Sequence, residues 1–223
     1  HIRNRVVNAL VEAASNDADW KVRVNAVTSL GNFKFKIDNL KKVYFLIVLE
    51  GKKDKNLHVR MAAIRAMAKS YIWDDDDAEG VINAFEGKFF KNAEWQEKGE
   101  VLVALAQMFR ERLSSHFFFT ESLNDSNGYL RARNIEALGE TKSPKVIGFL
   151  EKALNDPFAL VQNNAIEALG KINTDVSREV IIRSLATQDL TLLAIAAGSL
   201  AGDEKIKSDK KKSEMLSQKI IES

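Results

Sequence analysis

The sequence predicts an all-α protein, a right-handed α-α superhelix (solenoid) of about six helix pairs followed by a terminal helix. A ten-residue phrase recurs along the 223 residues, and its second residue, here called the anchor, falls at positions 23, 60, 98, 131, 162 and 193. Successive anchors are 37, 38, 33, 31 and 31 residues apart, which is the spacing of paired-helix repeats. With only 2 prolines and 11 glycines, few positions can break a helix.

The recurring phrase has the apolar spacing of one amphipathic helix. In the first copy, Val22–Gly31, apolar residues stand one position before the anchor and three, four and seven positions after it. This spacing places them on a single helix face. Similar copies follow at 59–68, 130–139, 161–170 and 192–201, and a degenerate copy at 97–106. We interpret each copy as the second helix of a pair.

Two further positions of the phrase carry small residues. Eight positions after the anchor stands glycine or alanine, which we interpret as a residue that relaxes the helix end. A small residue six positions after the anchor predicts that a neighbouring helix approaches closely; these residues are Ser29, Ala66, Ala104, Ala137, Ala168 and Ser199.

An aspartate precedes four anchors by six positions. At the start of a helix such a carboxylate accepts backbone N–H bonds and complements the positive end of the helix dipole. We therefore predict that these residues cap the second helices, and a catalytic carboxylate is the alternative. They are Asp17, Asp54, Asp125 and Asp156.

The segments between the phrases supply the first helix of each pair. We predict these helices at Arg3–Ser15, Asn39–Glu50, Ala78–Phe89, Arg112–Leu123, Pro144–Leu154 and Ser177–Leu185. The proline suits a first helical turn, where its missing N–H costs little. The chain is then a single repeat domain, 1–223, with repeats at about 1–34, 35–71, 72–110, 111–141, 142–172 and 173–202. A polar terminal helix, 203–223, shields the last apolar face.

The pattern Asp-x-x-x-x-Val-Arg-x-x-Ala-x-x-x-Leu-Gly resembles the HEAT repeat, in the short variety associated with phycobilisome lyases. The resemblance covers nearly the whole chain. It implies a ladder in which the aspartate and arginine of successive repeats pair, formed by Asp17, Arg23, Asp54, Arg60, Asp125 and Arg131. Repeat three departs from the pattern with Asn92 and Lys98, and repeat six with Thr187 and Leu193. We expect the ladder to weaken at both.

Local motifs give no positive indication of catalysis, a metal or a cofactor. The chain has no cysteine, which excludes disulfides and thiolate sites. The histidines His1, His58 and His116 form no His-Glu dipeptide, unlike the iron-binding HEAT-like enzyme deoxyhypusine hydroxylase. The acidic run Asp74–Asp77 predicts a solvated loop that caps the helix from Ala78, and a calcium site is the alternative. Phe117–Phe119 is interpreted as core, with a partner-binding patch as the alternative.

The inferred concave surface carries mixed charge. Second helices normally line that surface, with side chains two and five positions after each anchor. The formal net charge is +2, and these columns hold no basic groove able to neutralise several phosphates. A protein or peptide partner is therefore favoured over nucleic acid. The candidate partner-binding residues are Asn25, Arg65, Glu100, Arg133, Glu136, Asn164 and Glu167.

These observations predict a cytoplasmic protein-protein interaction scaffold without enzymatic activity. The sequence opens inside an apparent helix without methionine, so we expect a piece of a longer chain. That expectation supports an alternative, an accessory repeat domain of a larger enzyme such as an M1-type metallopeptidase. A stand-alone lyase or DNA glycosylase is the least favoured interpretation. No apolar run approaches the roughly 20 residues that span a bilayer.

Overall fold

The computed structural model describes residues 2–33, 37, 39–49, 53–70, 73–74, 77–86, 88–110, 117–184 and 190–201. Over these ranges the regular secondary structure is helical throughout. The chain divides into two compact units, His1–Phe109 and Arg110–Ser223, and each is described by itself. The division lies one residue before the predicted boundary between repeats three and four. A single repeat domain over the whole length stays a prediction.

Unit 1 stacks three second helices in chain order. The first helices α1 and α3 pack against the second helices α2 and α4, while α4 packs between α2 and α7. The elements are α1 (Ile2–Asn16), α2 (Trp20–Gly31), α3 (Leu40–Val48), α4 (Leu57–Lys69), α5 (Ala78–Phe85), α6 (Lys88–Asn92) and α7 (Trp95–Phe109).

Unit 2 repeats the same arrangement. The second helices α9, α11 and α13 stack side by side, and the first helices α10 and α12 both pack against α11. The elements are α8 (Phe117–Ser122), α9 (Gly128–Glu140), α10 (Ile147–Ala153), α11 (Ala159–Ile172), α12 (Asp175–Ser184) and α13 (Leu190–Ala201). The predicted fold class, an all-α solenoid of stacked helix pairs, is confirmed.

The first helices differ from prediction in two places. The expected helix Ala78–Phe89 is interrupted, because Glu86 adopts an extended conformation with ψ 165° and ends α5. The break separates Phe85 from Phe89 and Phe90, and all three side chains are buried. The helix predicted from Pro144 begins with one 3₁₀ turn, Pro144–Val146. Residues 111–116 and the terminal helix predicted at 203–223 lie outside the described residues.

The core includes the predicted apolar face of the second helices together with side chains of the first helices. In α4 the four apolar positions, Val59, Ala63, Ile64 and Met67, are all buried. The equivalent positions of α11 are also buried: Val161, Ala165, Ile166 and Leu169. These side chains are removed from water only when neighbouring helix pairs stack, so burial and stacking depend on each other.

The glycine eight positions after the anchor lies near the end of its helix, as expected, and it also permits close helix approach. A Cβ on Gly31 would lie 2.8 Å from the Cβ of Ala66, and one on Gly139 would lie 2.7 Å from the Cβ of Ala168. Gly139 lies inside α9, and Gly170 stands two residues before the end of α11. The glycine of one repeat therefore meets the small residue of the next, six positions after its anchor.

Candidate functional site

The four aspartates that precede the anchors stand two residues ahead of the helix caps, which corrects the capping prediction. In repeats one, two and four the N-cap residues are Asp19, Asn56 and Asn127. Each aspartate instead accepts the backbone N–H of the residue two positions further on. The distances from N to Oδ1 are 2.8 Å for Asp17, 2.8 Å for Asp54, 2.7 Å for Asp125 and 2.8 Å for Asp156. This Asx turn shapes the loop before the helix begins.

The anchor arginine of repeat one joins two repeats through one guanidinium. Its Nε and Nη2 donate to the two carboxylate oxygens of Asp54, at 2.6 and 3.0 Å. Its Nη1 donates to the backbone carbonyls of Asp17 and Ala18, at 2.7 and 3.2 Å. Arg23 therefore holds its own loop with one edge and the next repeat with the other. Such a bidentate pair fixes geometry as well as adding energy.

Unit 2 contains the same arrangement between repeats four and five. The Nε and Nη2 of Arg131 donate to Asp156 at 2.8 and 2.7 Å, and Nη1 donates to the carbonyls of Asp125 and Ser126 at 2.8 and 3.3 Å. Both partners are largely buried, with 13% of each side chain exposed. The pairing that the resemblance implies thus appears in each unit with one and the same geometry.

The ladder continues at repeat three, where we expected it to weaken. Arg60 Nε and Nη2 donate to the carboxylate of Glu97 at 2.7 and 3.0 Å. Glu97 is the residue immediately before the anchor Lys98, lies in the first turn of α7 and is fully buried. In this repeat the carboxylate comes from the helix, on the longer side chain of Glu97. In the other repeats it comes from the loop, on an aspartate. The predicted weakening was therefore wrong on the acceptor side, at Asn92, and it stays a prediction on the donor side, at Lys98.

Repeat five keeps half of the arrangement. Gln162 stands at the anchor, and its Nε2 donates to the backbone carbonyl of Asp156 at 2.7 Å. The amide therefore replaces the loop-binding edge of the arginine without its charge. The expected weakening at repeat six stays a prediction, because Thr187 and the side chain of Leu193 lie outside the described residues.

The ladder lowers the pKa of its aspartates. For Asp54, burial acts to raise the pKa, but the hydrogen bonds from Arg23 and from the Asn56 N–H outweigh it and leave the pKa below the ordinary 3.8. For Asp156, the hydrogen bond from Arg131 is the largest influence and lowers the pKa below 3.8 against the effect of burial. Both carboxylates are therefore stabilised in the charged form, as structural ion pairs require.

In unit 1 the columns two and five positions after the anchors, here called the exposed columns, offer two accessible candidates. Asn25 is exposed, and Arg65 has 54% of its side chain exposed. Arg65 Nε lies 3.2 Å from the carboxylate of Glu100 on the next second helix. Glu100 is only 14% exposed, so it serves more as the partner of Arg65 than as a free contact residue.

In unit 2 the exposed columns hold four candidates with different surroundings. Arg133 donates to Glu136 at 2.6 Å on the same helix, and both are half-buried. Glu167 is exposed. Asn164 donates its amide to the backbone carbonyl of Ala132 at 2.9 Å, which links α11 to α9. Its role as a partner-binding residue is weakened, because its donor already serves the packing.

The acidic run is organised around a lysine. Lys41 forms an ion pair with Asp77, and Asp74 and Asp77 each accept the backbone N–H of the other, at 3.2 and 3.0 Å. The side chain of Asp77 makes no capping bond to α5, which corrects that part of the prediction. Among the described residues no group of three or more metal-ligating side chains is found. Asp75 and Asp76 lie outside them.

Described aromatic side chains near the acidic run and in Phe117–Phe119 contact neighbouring helices. Trp73 Nε1 donates to the carbonyl of Met67 at 2.8 Å, and the ring is half-buried. Phe119 is fully buried, whereas the side chains of the two phenylalanines before it lie outside the described residues. His58 lies in the first turn of α4 and stacks on Trp20 with ring centroids 5.3 Å apart. Phe119 thus belongs to the core, and the indole of Trp73 is held against α4 by its hydrogen bond to Met67.

Unit 2 also contains a cavity that the sequence did not indicate. Its volume is about 330 Å³, and its polar lining includes Thr120, Asn124, Lys152 and the pair Arg131–Asp156. It lies beside the loops that precede α9 and α11. The Nε, Nη1 and Nη2 groups of that arginine all donate to ladder acceptors. No helix in the described ranges is both long and apolar enough to cross a bilayer.

Comparison with known proteins places these features in a family. The family model for HEAT repeats matches residues 7–87 and 118–201, more than half of the chain. These segments contain every copy of the phrase except the degenerate one at 97–106. No curated protein matches the sequence. The chain is similar to a solved chain in the complex of CpcE and CpcF of phycocyanin lyase from Nostoc sp. PCC7120, with 20% identity, a TM-score of 0.49, and coverage of 97% of this chain and 87% of that chain.

Proposed function

Because the chain belongs to the HEAT-repeat family, we propose that it is a non-catalytic scaffold that binds a protein or peptide along its exposed columns. Stacked repeats present extended surfaces, and proteins of this architecture use them for binding. The observation that carries the proposal is the charge of those columns. Acidic and basic side chains alternate there at the surface, as in the pairs Arg65–Glu100 and Arg133–Glu136.

Alternating charge favours a protein or peptide over a polyanion. A nucleic acid gains affinity from several uncompensated cations that replace its counterions. In the exposed columns each arginine already faces a glutamate. A partner with its own mixed charge can exchange these surface pairs for intermolecular ones at little cost, because exposed ion pairs contribute only about 0–1 kcal/mol.

The ladder supports the same proposal by holding the columns in place. Arg23 and Arg60 each bind one repeat's loop and the next repeat's carboxylate. The spacing between successive second helices is thereby set before any partner arrives. A preorganised surface loses less conformational freedom on binding, which improves affinity.

Site-specific photo-cross-linking tests the proposal. A photoreactive residue is placed singly at Asn25, Arg65 or Glu167, and each variant is irradiated in extracts of the source cell. The matched controls carry the same residue at Lys42 and Glu179, which are exposed on the first helices α3 and α12. We expect a discrete protein adduct from the column positions and none from the controls.

Two results would contradict the proposal. Equal cross-linking from columns and controls would mean that the columns are not the binding surface. Adducts sensitive to nuclease would favour a nucleic-acid partner instead. Fractionation of the source cell checks the cytoplasmic location that we propose with it, for which the absence of cysteine is the supporting observation.

A further inference from the structure

The cavity between repeats four and five, here called cavity A, has a counterpart between repeats five and six. The counterpart, cavity B, has a volume of about 640 Å³ and lies beside α10 and α12. Every described residue that lines cavity B stands 31 positions after a residue that lines cavity A, as Leu154 follows Leu123 and Asn155 follows Asn124. The two cavities are therefore repeat equivalents, and a difference between equivalent positions indicates what each can hold.

Both cavities carry a basic residue at the same wall position, but only cavity B pairs it with a carboxylate. There, Arg183 Nη2 donates to Glu151 Oε1 at 2.7 Å. In cavity A the equivalent positions hold Lys152 and Thr120, so a hydroxyl replaces the carboxylate. No hydrogen bond or ion pair joins the Lys152 ammonium to any residue in the described part of the chain. Cavity A thus has an uncompensated positive charge where cavity B has an ion pair.

The other walls of cavity A are apolar or carry no net charge. Ile135 and Val161 are each 1% exposed and form its floor. The ladder pair Arg131–Asp156 also lines it, but its two charges balance each other at 2.7 Å. Lys152 is exposed and therefore stands at the mouth. The volume of about 330 Å³ falls in the range of small-ligand pockets, which combine apolar walls with a few polar groups that orient the ligand.

We propose that cavity A binds a carboxylate carried on a small apolar body, either the last residue of a peptide or a free carboxylic acid. The carboxylate pairs with Lys152 at the mouth, in the place that Glu151 occupies beside Arg183 in cavity B. The apolar body fills the space above Ile135 and Val161. The mouth lies on α10 and the loop after α8, whereas the exposed columns lie on second helices. The site therefore does not depend on the proposed function.

The probe is N-acetyl-leucine, and its matched control is N-acetyl-leucine amide, which has the same body without the charge. Titration of the ¹⁵N-labelled full chain, followed through its amide chemical shifts, measures the affinity and locates the site. We expect saturable binding of the acid with a Kd in about the millimolar range, with shifts in α8 and α10. The amide should bind about fivefold more weakly. A longer peptide ending in leucine distinguishes the two sources: binding at least as tight as that of the acid identifies a chain terminus, and weaker binding identifies a free acid.

Two substitutions at one position separate charge from size. Thr120→Glu restores the carboxylate that repeat five carries there, so it should pair with Lys152 and abolish binding of the acid. Thr120→Gln has the same size without the charge and should bind the acid at least about fivefold more tightly than Thr120→Glu does. Lys152→Gln should lower the affinity for the acid to that for the amide.

The comparison of acid with amide uses the unaltered chain, so it remains decisive if a variant folds poorly. Equal affinities for the two ligands, no binding of the acid, or shifts confined to residues away from cavity A would each overturn the proposal. Equal affinities of Thr120→Glu and Thr120→Gln for the acid would overturn it as well. None of these results bears on cross-linking from the columns.

Discussion

The carboxylate of Glu97 accepts two hydrogen bonds from the guanidinium of Arg60, at 2.7 and 3.0 Å, and both side chains are buried. This pair links repeat two to repeat three, whose sequence departs from the pattern. The guanidinium also binds the carbonyls of Asp54 and Lys55 at 2.8 and 3.2 Å. The pair therefore keeps a carboxylate for the arginine of repeat two although the aspartate of the pattern is missing in repeat three.

Glu97→Gln should destabilise unit 1 strongly. Removing one member of a buried pair leaves the charge of Arg60 without compensation, which costs about 3–5 kcal/mol. Urea unfolding of the full chain measures the loss, and Glu151→Gln is the control. Glu151 and its partner Arg183 have 50% and 65% of their side chains exposed, so this replacement should cost less than about 1 kcal/mol. Equal losses would mean that the buried pair contributes no more than a surface one.

Arg131→Lys should destabilise unit 2 although it conserves the charge. An ammonium cannot bind both oxygens of Asp156 while also reaching the two loop carbonyls, so hydrogen bonds of about 1.5–3 kcal/mol each to charged groups are weakened or lost. Thermal unfolding checks this. The comparison is Arg183→Lys, whose pair with Glu151 is exposed and whose replacement should stay within about 0.5 kcal/mol.

Acid should weaken the ladder. The pKa values of Asp54 and Asp156 lie below 3.8 in the folded chain, so the unfolded state binds protons first as pH falls. The contribution to stability is complete well above pH 3.8 and is lost progressively as pH falls through 3.8 towards the folded pKa. Unfolding free energies between pH 7 and pH 3 test this. The double variant Asp54→Asn, Asp156→Asn should show a shallower decline; an unchanged slope would contradict the prediction.

Gly139→Ala should be destabilising, although alanine is the better helix former. The added Cβ would stand 2.7 Å from the Cβ of Ala168, and relieving such overpacking costs about 1–3 kcal/mol. Gly148→Ala, on α10, is the control, because nothing lies within 4 Å of its added Cβ. It should stabilise the chain by about 0.5–1 kcal/mol. Chemical denaturation of both variants gives the comparison, and equal signs would refute the close-contact role.

The sequence alone predicted the repeat. Burial of one helix face requires apolar residues at a fixed spacing, and this spacing persists when individual residues are substituted. All six anchors lie in second helices, and the apolar positions of α4 and α11 form the core as the spacing predicted. The family assignment follows from the same pattern and is confirmed. The break between Phe85 and Phe89 was not predicted, because it depends on how three phenylalanines share the space against neighbouring helices.

Tertiary structure alone decided which side chains carry the ladder and the close contacts. Glu97 is an ordinary charged residue in the sequence and becomes a ladder member only because α7 brings its first turn to Arg60. Gly31 stands at the helix end that the sequence predicted, and only the tertiary structure shows that a Cβ there would lie 2.8 Å from the Cβ of Ala66 on the next second helix. Helix periodicity is a local property of the chain, whereas hydrogen-bond partners and close helix packing arise between repeats about 31–38 residues apart. That separation is why the sequence determined the architecture and the stacked helices determined the contacts.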